Sequence, residues 1–488
     1  MTNKMADEDT QPIIPREENE YEEDEEEEEL SGCGATACCD PRRPYHRYIV
    51  LIFMCFLSFG SYFCYDNPGA IQDIIKKDMK VDTGRYMTLY ALYSWPNVVL
   101  CFFGGFLIDR VFGIRWGAII FSVLVTLGQI VFAIGAFVNV FEVMQLGRFI
   151  FGLGGESLAV AQNTYAVNWF KEKELNMVFG LQLSFSRVGS TVNFMVMEDM
   201  YNWLNQWFKD YINLGVTLMV AGIFCILSLI VAFMLAYFDK RAKRILKSKE
   251  AETGEVIRFR DIKDFPVQFW LLAIICVAYY VTIFPFIGLG LVFFEMKYGY
   301  SPQAADSVNS VVYILSAVAS PLFGFFIDKS GKNVFWVIAG VVITLGCHAL
   351  LAFSFLNPWV AMVTMGMAYS ILASALWPMV AMVVPEYQLG TAYGIMQSVQ
   401  NLGLAVVAQV AGQLVDMRGY LMYQVFNLMW LCLALLVAVI LYLTDAVRGG
   451  HLNRSAKERS KLAELEKVSQ KAVEEKHDAS DPNSSVHT

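Results

Sequence analysis

Two side chains of opposite charge lie inside consecutive apolar stretches of the sequence, Glu156 within 141–168 and Arg187 within 175–197. At about 1.5 Å of rise per residue, a helix of roughly 20 residues crosses the hydrocarbon core of a bilayer, so both charges are expected near its midplane. An ionised group at that depth is unfavourable unless it faces protein, an opposite charge or water. Glu156 and Arg187 should therefore pair with each other or share a ligand that carries both signs.

A zwitterionic ligand would suit the second alternative. Arg187 can bind a carboxylate through two parallel hydrogen bonds, and Glu156 can accept hydrogen bonds from an ammonium group. The first alternative is a structural ion pair, since buried pairs need not serve a ligand. Asp66, at the end of the first apolar stretch, is a second candidate for the ammonium group. Helix capping before Pro68 is an equally good explanation of Asp66.

The composition places these charges in a polytopic membrane protein. Of the 488 residues, 56% are hydrophobic and only 17% are charged, which excludes a soluble enzyme. The formal net charge of −9 arises mainly from the acidic run 17–29, which is typical of a solvated, disordered tail. The partner that this composition predicts is the lipid bilayer. No metal, cofactor or nucleic acid is expected.

Apolar segments of membrane-spanning length set the predicted all-α architecture. Twelve of them fall near 48–66, 86–108, 116–138, 141–168, 175–197, 213–238, 267–294, 306–327, 334–356, 359–384, 391–415 and 420–444. Lys and Arg cluster before the first segment and in the long break after the sixth, so both termini and the central loop are predicted to be cytosolic. The expected parts are a cytosolic tail (1–47), two six-helix bundles (48–238 and 265–445), the linker between them (239–264) and a second cytosolic tail (446–488).

Matching motifs in the two sets of six segments indicate an internal repeat. Gly105-Phe-Leu-Ile-Asp109-Arg110 follows the second segment, and Gly324-Phe-Phe-Ile-Asp328-Lys329 follows the eighth. In segments five and eleven, Gly180, Ser184 and Arg187 align with Gly394, Ser398 and Asn401. Charged side chains at cytosolic helix ends can latch two helices in one conformation, and Asp109, Arg110, Asp328 and Lys329 are the predicted latch.

These motifs resemble those of the major facilitator superfamily. Its loop pattern Gly-x3-Asp-Arg/Lys-x-Gly-x-Arg/Lys is met from Gly324 to Lys332, with Lys332 one position early, and the first copy carries one inserted residue. The fourth-segment signature Arg-x3-Gly-x-Gly begins at Arg148, which we assign to the same latch. The resemblance implies an alternating-access transporter of two pseudo-symmetric bundles, in which segments 1, 4, 7 and 10 line a central cavity.

Further motifs are similar to those of superfamily members that export dipeptides from lysosomes. They run from Ser58 to Pro68, Tyr93 to Asn97, Gly155 to Tyr165 and Ala375 to Met379. This resemblance implies uniport of dipeptides beside a heavily glycosylated lysosomal membrane protein. The first segment also lacks the Glu-x-x-Glu-Arg/Lys pattern of proton-coupled peptide transporters, which favours uniport. The predicted substrate site contains Glu156, Arg187 and Asp66 with Tyr62, Gln162, Asn163, Tyr280, Phe284, Trp377, Gln397 and Asn401.

The tails and loops suggest how the protein is sorted and protected. Asp9 precedes the pair Ile13-Ile14 by four residues, the acidic dileucine-type pattern that cytosolic adaptor proteins read, although such patterns also arise by chance. The only Asn-x-Ser/Thr sequons start at Asn453 and Asn483, in the predicted cytosolic tail. Compact lumenal loops would explain this, as would a glycosylated accessory subunit, which the resemblance favours. A homodimer is also compatible with the sequence.

Two other functions stay open at this point. A non-transporting sensor or scaffold could use the same fold, and only a flux measurement would separate it from a transporter. A carrier of other small solutes, such as organic anions or sugars, is the second alternative. An anion carrier would need additional cations without an acidic partner, and a sugar carrier would have little use for Glu156 and Arg187. Both rank below peptide transport.

Overall fold

The structure, a computed structural model, describes residues 40–81, 83–170, 174–246 and 261–455, together with Glu458 and Lys461. The predicted sorting residues Asp9, Ile13 and Ile14 lie outside the described residues. All regular elements within the described ranges are helical. The main helices are α1 Pro44–Leu57, α2 Phe59–Tyr65, α3 Asn67–Ala70, α4 Gln72–Asp78, α5 Thr83–Leu107, α6 Gly113–Phe137, α7 Phe141–Phe170, α8 Leu175–Leu204, α9 Asp210–Ile245, α10 Val267–Tyr298, α11 Pro302–Ser330, α12 Asn333–Phe353, α13 Pro358–Val383 and α14 Leu389–Val447.

The membrane-spanning helices follow the predicted segments, although the helix of the first span is interrupted. Within the described residues, eight stretches are long and apolar enough to cross a membrane, and Thr88–Phe137 and Glu386–Val447 each contain two predicted spans. α14 turns at Gly419, whose φ of 79° lies in the region that glycine tolerates best. α7 and α8 are long enough to span but less apolar, because they carry polar and charged side chains, among them Glu156 and Arg187.

The first span is one apolar stretch, Tyr45–Tyr65, as the sequence predicts for 48–66, but its helix is interrupted at Ser58. α1 ends at Leu57 and α2 covers Phe59–Tyr65, with Ser58 outside helical geometry between them, and α2 meets the short helix α3 at Asp66. Pro68 has no N–H to donate to the carbonyl four residues earlier, which belongs to Cys64. Arg148 of α7 takes over this role, since its guanidinium donates to the carbonyl oxygens of Cys64 at 3.3 Å and Tyr65 at 3.0 Å.

Helix contacts group the spans by halves of the chain. In the N-terminal half (40–246), α6 packs on α7 and α9, and α5 packs on α7. In the C-terminal half (261–455), α10 and α12 pack on α14, and α13 packs on α11 and α12. Two broad contacts join the halves, α5 with α14 and α8 with α11, and we call these two contacts the seams. Large apolar side chains such as Met195, Val318 and Phe326 are exposed on the outside of the bundle, as a lipid-facing surface requires.

Candidate substrate site and inter-half contacts

Glu156 lies in the middle of α7 and is bonded to both halves of the protein. The Tyr93 hydroxyl, from α5 of the same half, donates to Oε1 at 3.0 Å. The Gln397 amide, from α14 of the opposite half, donates to Oε2 at 2.6 Å. Both donors are neutral, so the carboxylate has hydrogen bonds but no cationic partner.

Arg187 lies in α8 against aromatic rings of the C-terminal half. Its guanidinium donates to the Tyr369 hydroxyl of α13 at 2.5 Å. The guanidinium carbon also lies 4.7 Å from the centroid of the Tyr313 ring and 5.6 Å from that of Phe284, within cation–π range. The buried Nε atom has no hydrogen-bond partner. Arg187 is therefore stabilised by rings and one phenol, with donors left over.

Glu156 and Arg187 do not form an ion pair with each other. Of the two alternatives raised by the sequence, the direct pair is absent. Both side chains are half-buried, so part of each remains accessible inside the bundle. Tyr62 of α2, also half-buried, lies within electrostatic range of both charges.

Asp66 does not cap a helix through its side chain, which removes the structural explanation that the sequence left open. It stands at the junction of α2 and α3, where neither helix receives a side-chain cap. Its carboxylate lies beside Ser190 and within electrostatic range of Arg187 and Arg148. The break in the first span thus leaves a half-buried acid close to the predicted carboxylate-binding arginine.

An aromatic cluster of the C-terminal half forms the wall next to Arg187. The Trp377 indole donates to the Tyr280 hydroxyl at 2.9 Å, and the Tyr280 and Phe284 rings stack with centroids 5.6 Å apart. Tyr280 also packs edge-on against Tyr369 at 6.0 Å. The structure thus brings the predicted site residues Tyr280, Phe284 and Trp377 together.

Two further predicted site residues, Gln162 and Asn401, make contacts outside this aromatic cluster, and for a third, Asn163, only its burial is shown. Gln162 is buried and donates to the Met54 carbonyl of α1 at 2.8 Å, a bond that ties two helices of one half together. The Asn401 amide contacts the Cys101 sulfur at 3.8 Å within the α5–α14 seam. Asn163 is half-buried on α7. Of these three, Gln162 has an evident packing role.

Tyr93 and Tyr369 are the partners that sequence reasoning missed. Each is a tyrosine within an apolar span, and a buried tyrosine hydroxyl usually finds a polar partner. That signal is present in the sequence for both residues. It does not say which of the many intramembrane tyrosines lies next to a charge.

Asp109, one of the residues of the predicted latch, lies just after the end of α5. Its carboxylate accepts from the backbone N–H of Gly390 at 2.9 Å, and from the N–H and hydroxyl of Thr391 at 2.6 and 2.7 Å. These residues form the first turn of α14, which has no side-chain cap of its own. The first N–H groups of a helix lack intrahelical partners and attract negative charge, so Asp109 caps a helix of the opposite half.

Asp328 makes the symmetrical contact at the second seam. Its carboxylate accepts from the backbone N–H of Asn176 at 3.1 Å and of Met177 at 2.8 Å, and from the Asn176 amide at 2.7 Å. These residues begin α8, which also lacks a side-chain cap of its own. Because span direction alternates along the chain, both caps lie on one side of the bundle, which we call the motif face.

Glycines bring the helices of each seam into backbone contact. A Cβ on Gly105 would lie 2.0 Å from the Gly390 carbonyl oxygen, and a Cβ on Gly324 would lie 2.4 Å from that of Asn176. Further along the same seams, the Phe102 N–H donates to the Ser398 hydroxyl at 3.0 Å, and the Ser184 hydroxyl donates to the Ala317 carbonyl. The motif face is therefore closed by two tightly packed, equivalent contacts.

The basic residues predicted for the latch lie elsewhere. Arg110 is exposed, with its guanidinium 5.6 Å from the Phe106 ring centroid, and Lys329 is also exposed. Arg148 is fully buried against the broken first span, away from Asp109 and Asp328. The two aspartates make the contacts between halves because they can accept several backbone N–H groups, which a cation cannot.

Two packed helical halves with partly accessible charges between them are an arrangement typical of a membrane transporter. Residues 51–408, and in a second match residues 298–473, fit the family model described as Major Facilitator Superfamily. The chain belongs to this superfamily and is a transporter rather than an enzyme.

The curated relatives carry a more specific name. The lysosomal dipeptide transporter MFSD1 of Homo sapiens is 60% identical over 428 residues, which cover 87% of this chain and 92% of that protein. The protein of the same name from Danio rerio is 60% identical over 430 residues, or 88% of this chain and 93% of the relative.

Solved structures are similar in fold alone. The transporter FucP in the outward conformation has a TM-score of 0.65 at 12% identity, covering 81% of this chain and 99% of its own. The proton:xylose symporter XylE has a TM-score of 0.61 at 12% identity, covering 85% of this chain and 98% of its own. The predicted fold class is thereby confirmed.

Proposed function

We propose that this protein is a lysosomal membrane transporter that exports dipeptides from the lumen to the cytosol by alternating access, as a uniporter. The observation that carries the proposal is the separation of Glu156 and Arg187. Each is half-buried, each is held by a neutral residue of the opposite half, and the two are not paired. A ligand with an ammonium and a carboxylate group would supply both missing countercharges. The names of the relatives support the same substrate class.

The remainder of the site suits recognition of termini rather than of side chains. The C-terminal half contributes rings and neutral donors, namely Tyr280, Phe284, Trp377 and Gln397. Such surfaces accept varied side chains, whereas the charged pair selects the ends of the molecule. Asp66 lies within electrostatic range of Arg187. The carboxylates of Glu156 and Asp66 would repel organic anions, and this disfavours the anion carrier.

The closed motif face fits loading from the lumen. We propose the orientation that the basic loops predict, with the motif face and both termini in the cytosol. The caps made by Asp109 and Asp328 then close the cytosolic side, so that a dipeptide enters from the opposite side. Transport requires these caps to open, which is the alternating-access step.

A reconstituted flux measurement tests the proposal. Proteoliposomes take up a labelled dipeptide, and unlabelled dipeptide, its N-acetyl form and its C-terminal amide compete. We expect only the free dipeptide to compete well. Glu156→Gln and Arg187→Ala should each abolish uptake and ligand-induced thermal stabilisation, because each removes the countercharge of one terminus.

Folding must be checked in both variants, since an unpaired buried charge can cost about 3–5 kcal/mol. Monodisperse elution and an unshifted unfolding temperature without ligand serve as the control. If either folded variant keeps normal uptake, the two charges do not bind the substrate. Absence of flux in the unmodified protein, with ligand binding retained, would favour the sensor alternative.

The proposed partners follow from the tails and loops. Adaptor proteins would read Asp9, Ile13 and Ile14, and Ile13→Ala with Ile14→Ala should move the protein away from lysosomes. A glycosylated subunit would cover the lumenal loops, which contain no sequon under the proposed orientation. Deletion of such a subunit should shorten the half-life of this chain, and an unchanged half-life would contradict the idea. Light scattering of the purified protein tests the homodimer.

A further inference from the structure

We propose that Tyr369 is a second binding residue for the carboxylate of the substrate, contributed by the half opposite to Arg187. The inference rests on the proposed function, because it assumes that Arg187 receives a peptide carboxylate. Tyr369 lies in α13, and its ring and hydroxyl both contact the guanidinium of α8. No motif in the sequence marks it.

The direction of the Arg187–Tyr369 hydrogen bond leaves one donor unused. A guanidinium has five donors and no acceptor, so the phenol oxygen must accept in the 2.5 Å contact. The phenol proton then points away from Arg187. Among the described residues, no acceptor receives it. Tyr369 therefore presents an O–H next to a cation, which is the arrangement that a carboxylate oxygen would complete.

The position of the hydroxyl is held by the C-terminal half. Tyr369 is only 1% exposed, and its ring packs edge-on against Tyr280 at 6.0 Å and Phe284 at 6.1 Å. Trp377 in turn donates to the Tyr280 hydroxyl. The phenol is thus fixed to one half while the guanidinium belongs to the other.

A carboxylate has two oxygens, which can be shared between these donors. One oxygen would accept from the terminal nitrogens of Arg187, and the other would accept the Tyr369 O–H. A phenol that already accepts from a cation is a stronger donor, because hydrogen bonds in a chain polarise one another. Hydrogen bonds from O–H to an ionised acceptor are also short and strong. The substrate carboxylate would then join the two halves directly.

Binding of matched ligands tests this role. A panel of alanylalanine, lysylalanine and glutamylalanine is titrated against purified full-length protein by calorimetry. The tightest member is then compared with its C-terminal amide. The measured quantity is the ratio of the two dissociation constants, amide over free acid. We expect Tyr369→Phe to reduce this ratio about tenfold by weakening the free acid alone, as loss of one charge-assisted hydrogen bond predicts.

Tyr393→Phe is the matched control. It removes a hydroxyl from the same aromatic region, but that hydroxyl donates to the Trp377 carbonyl at 3.2 Å and does not touch Arg187. The ratio should stay as in the unmodified protein. Equal weakening of acid and amide by Tyr369→Phe, or no change in either, would overturn the inference.

The outcomes also separate this inference from the proposed function. If no panel member binds the unmodified protein, or if Arg187→Ala leaves the ratio unchanged, the proposed function itself fails. If Arg187→Ala collapses the ratio and Tyr369→Phe does not, the carboxylate is bound by Arg187 without Tyr369.

Discussion

The seams and the substrate site are built from the same internal repeat in opposite ways. At the seams, Asp109 caps α14 and Asp328 caps α8, so each half makes the same contact to the other. At the site, Glu156 and Arg187 both come from the N-terminal half, and their hydrogen-bond partners Gln397 and Tyr369 come from the C-terminal half. The repeat is symmetrical where the halves close and asymmetrical where the charges lie.

We infer that the symmetrical seams serve the movement of the halves and that the asymmetrical site serves recognition of the substrate. The two caps that close the motif face are equivalent contacts on both sides of the bundle, as duplication of one half would supply. A dipeptide has no such symmetry, because its two ends carry different charges. Asn401 aligns with Arg187 in the repeat, so the position that carries a cation in one half is neutral in the other. A second cation there would have no ligand group to neutralise it.

The largest effect is expected when the cation is moved across the repeat. Arg187→Asn combined with Asn401→Arg keeps the composition and net charge of the protein. Dipeptide uptake should fall about a hundredfold or more, because loss of a buried charged contact typically costs roughly 2–5 kcal/mol. Proteoliposome uptake measures it, with Arg187→Asn alone as the comparison. Restored uptake in the double variant would show that either half can hold the cation.

Neutralising the caps should have the next largest effect. Asp109→Asn and Asp328→Asn each keep one acceptor oxygen but lose the charge facing a helix N-terminus. Hydrogen bonds to a charged group contribute about 1.5–3 kcal/mol, so each variant should change the transport rate about tenfold. The two rates should agree within about twofold, since the caps are equivalent. A large effect of one variant with none of the other would contradict the symmetry.

Steric separation of one seam should give a similar or smaller loss. Gly105→Ala places a Cβ against the Gly390 carbonyl, and such overpacking costs about 1–3 kcal/mol. We expect a rate reduction of roughly five- to tenfold, with the motif face more accessible to a membrane-impermeant cysteine reagent. Gly346→Ala is the control, because nothing lies within 4 Å of its Cβ position. An unaffected Gly105→Ala variant would mean that this seam does not limit transport.

The smallest effect is expected at the seam hydroxyls. Ser184→Ala and Ser398→Ala each remove one neutral hydrogen bond between halves. At about 1 kcal/mol per bond, transport rates should change roughly three- to fivefold and equally in both variants. Ser316→Ala, whose hydroxyl bonds only to its own helix at Tyr313, should leave the rate unchanged. Unequal rate changes in the Ser184→Ala and Ser398→Ala variants would show that the two seams, like the substrate site, are functionally asymmetric.

Much of the fold could be predicted from local sequence patterns. The apolar segments predicted the spans, including α7 and α8, which are less apolar than the others but have the expected length. The first span was predicted without the interruption at Ser58, and Pro68 lies just beyond the predicted segment. Its effect depends on Arg148, which lies 84 residues from the Cys64 carbonyl that it binds. Proline frees a carbonyl locally, whereas its replacement partner comes from tertiary packing.

The sequence by itself determined the superfamily and the helical membrane fold, because hydropathy and helix length depend on residue type and spacing, and it predicted a midplane depth for Glu156 and Arg187. It also marked Asp109 and Asp328 as equivalent. Only the tertiary structure decided that each aspartate caps a helix of the opposite half, and that Glu156 and Arg187 bond to Gln397 and Tyr369 instead of each other. These contacts join residues more than 150 positions apart, so the packing of whole helices selects them and no local pattern specifies them.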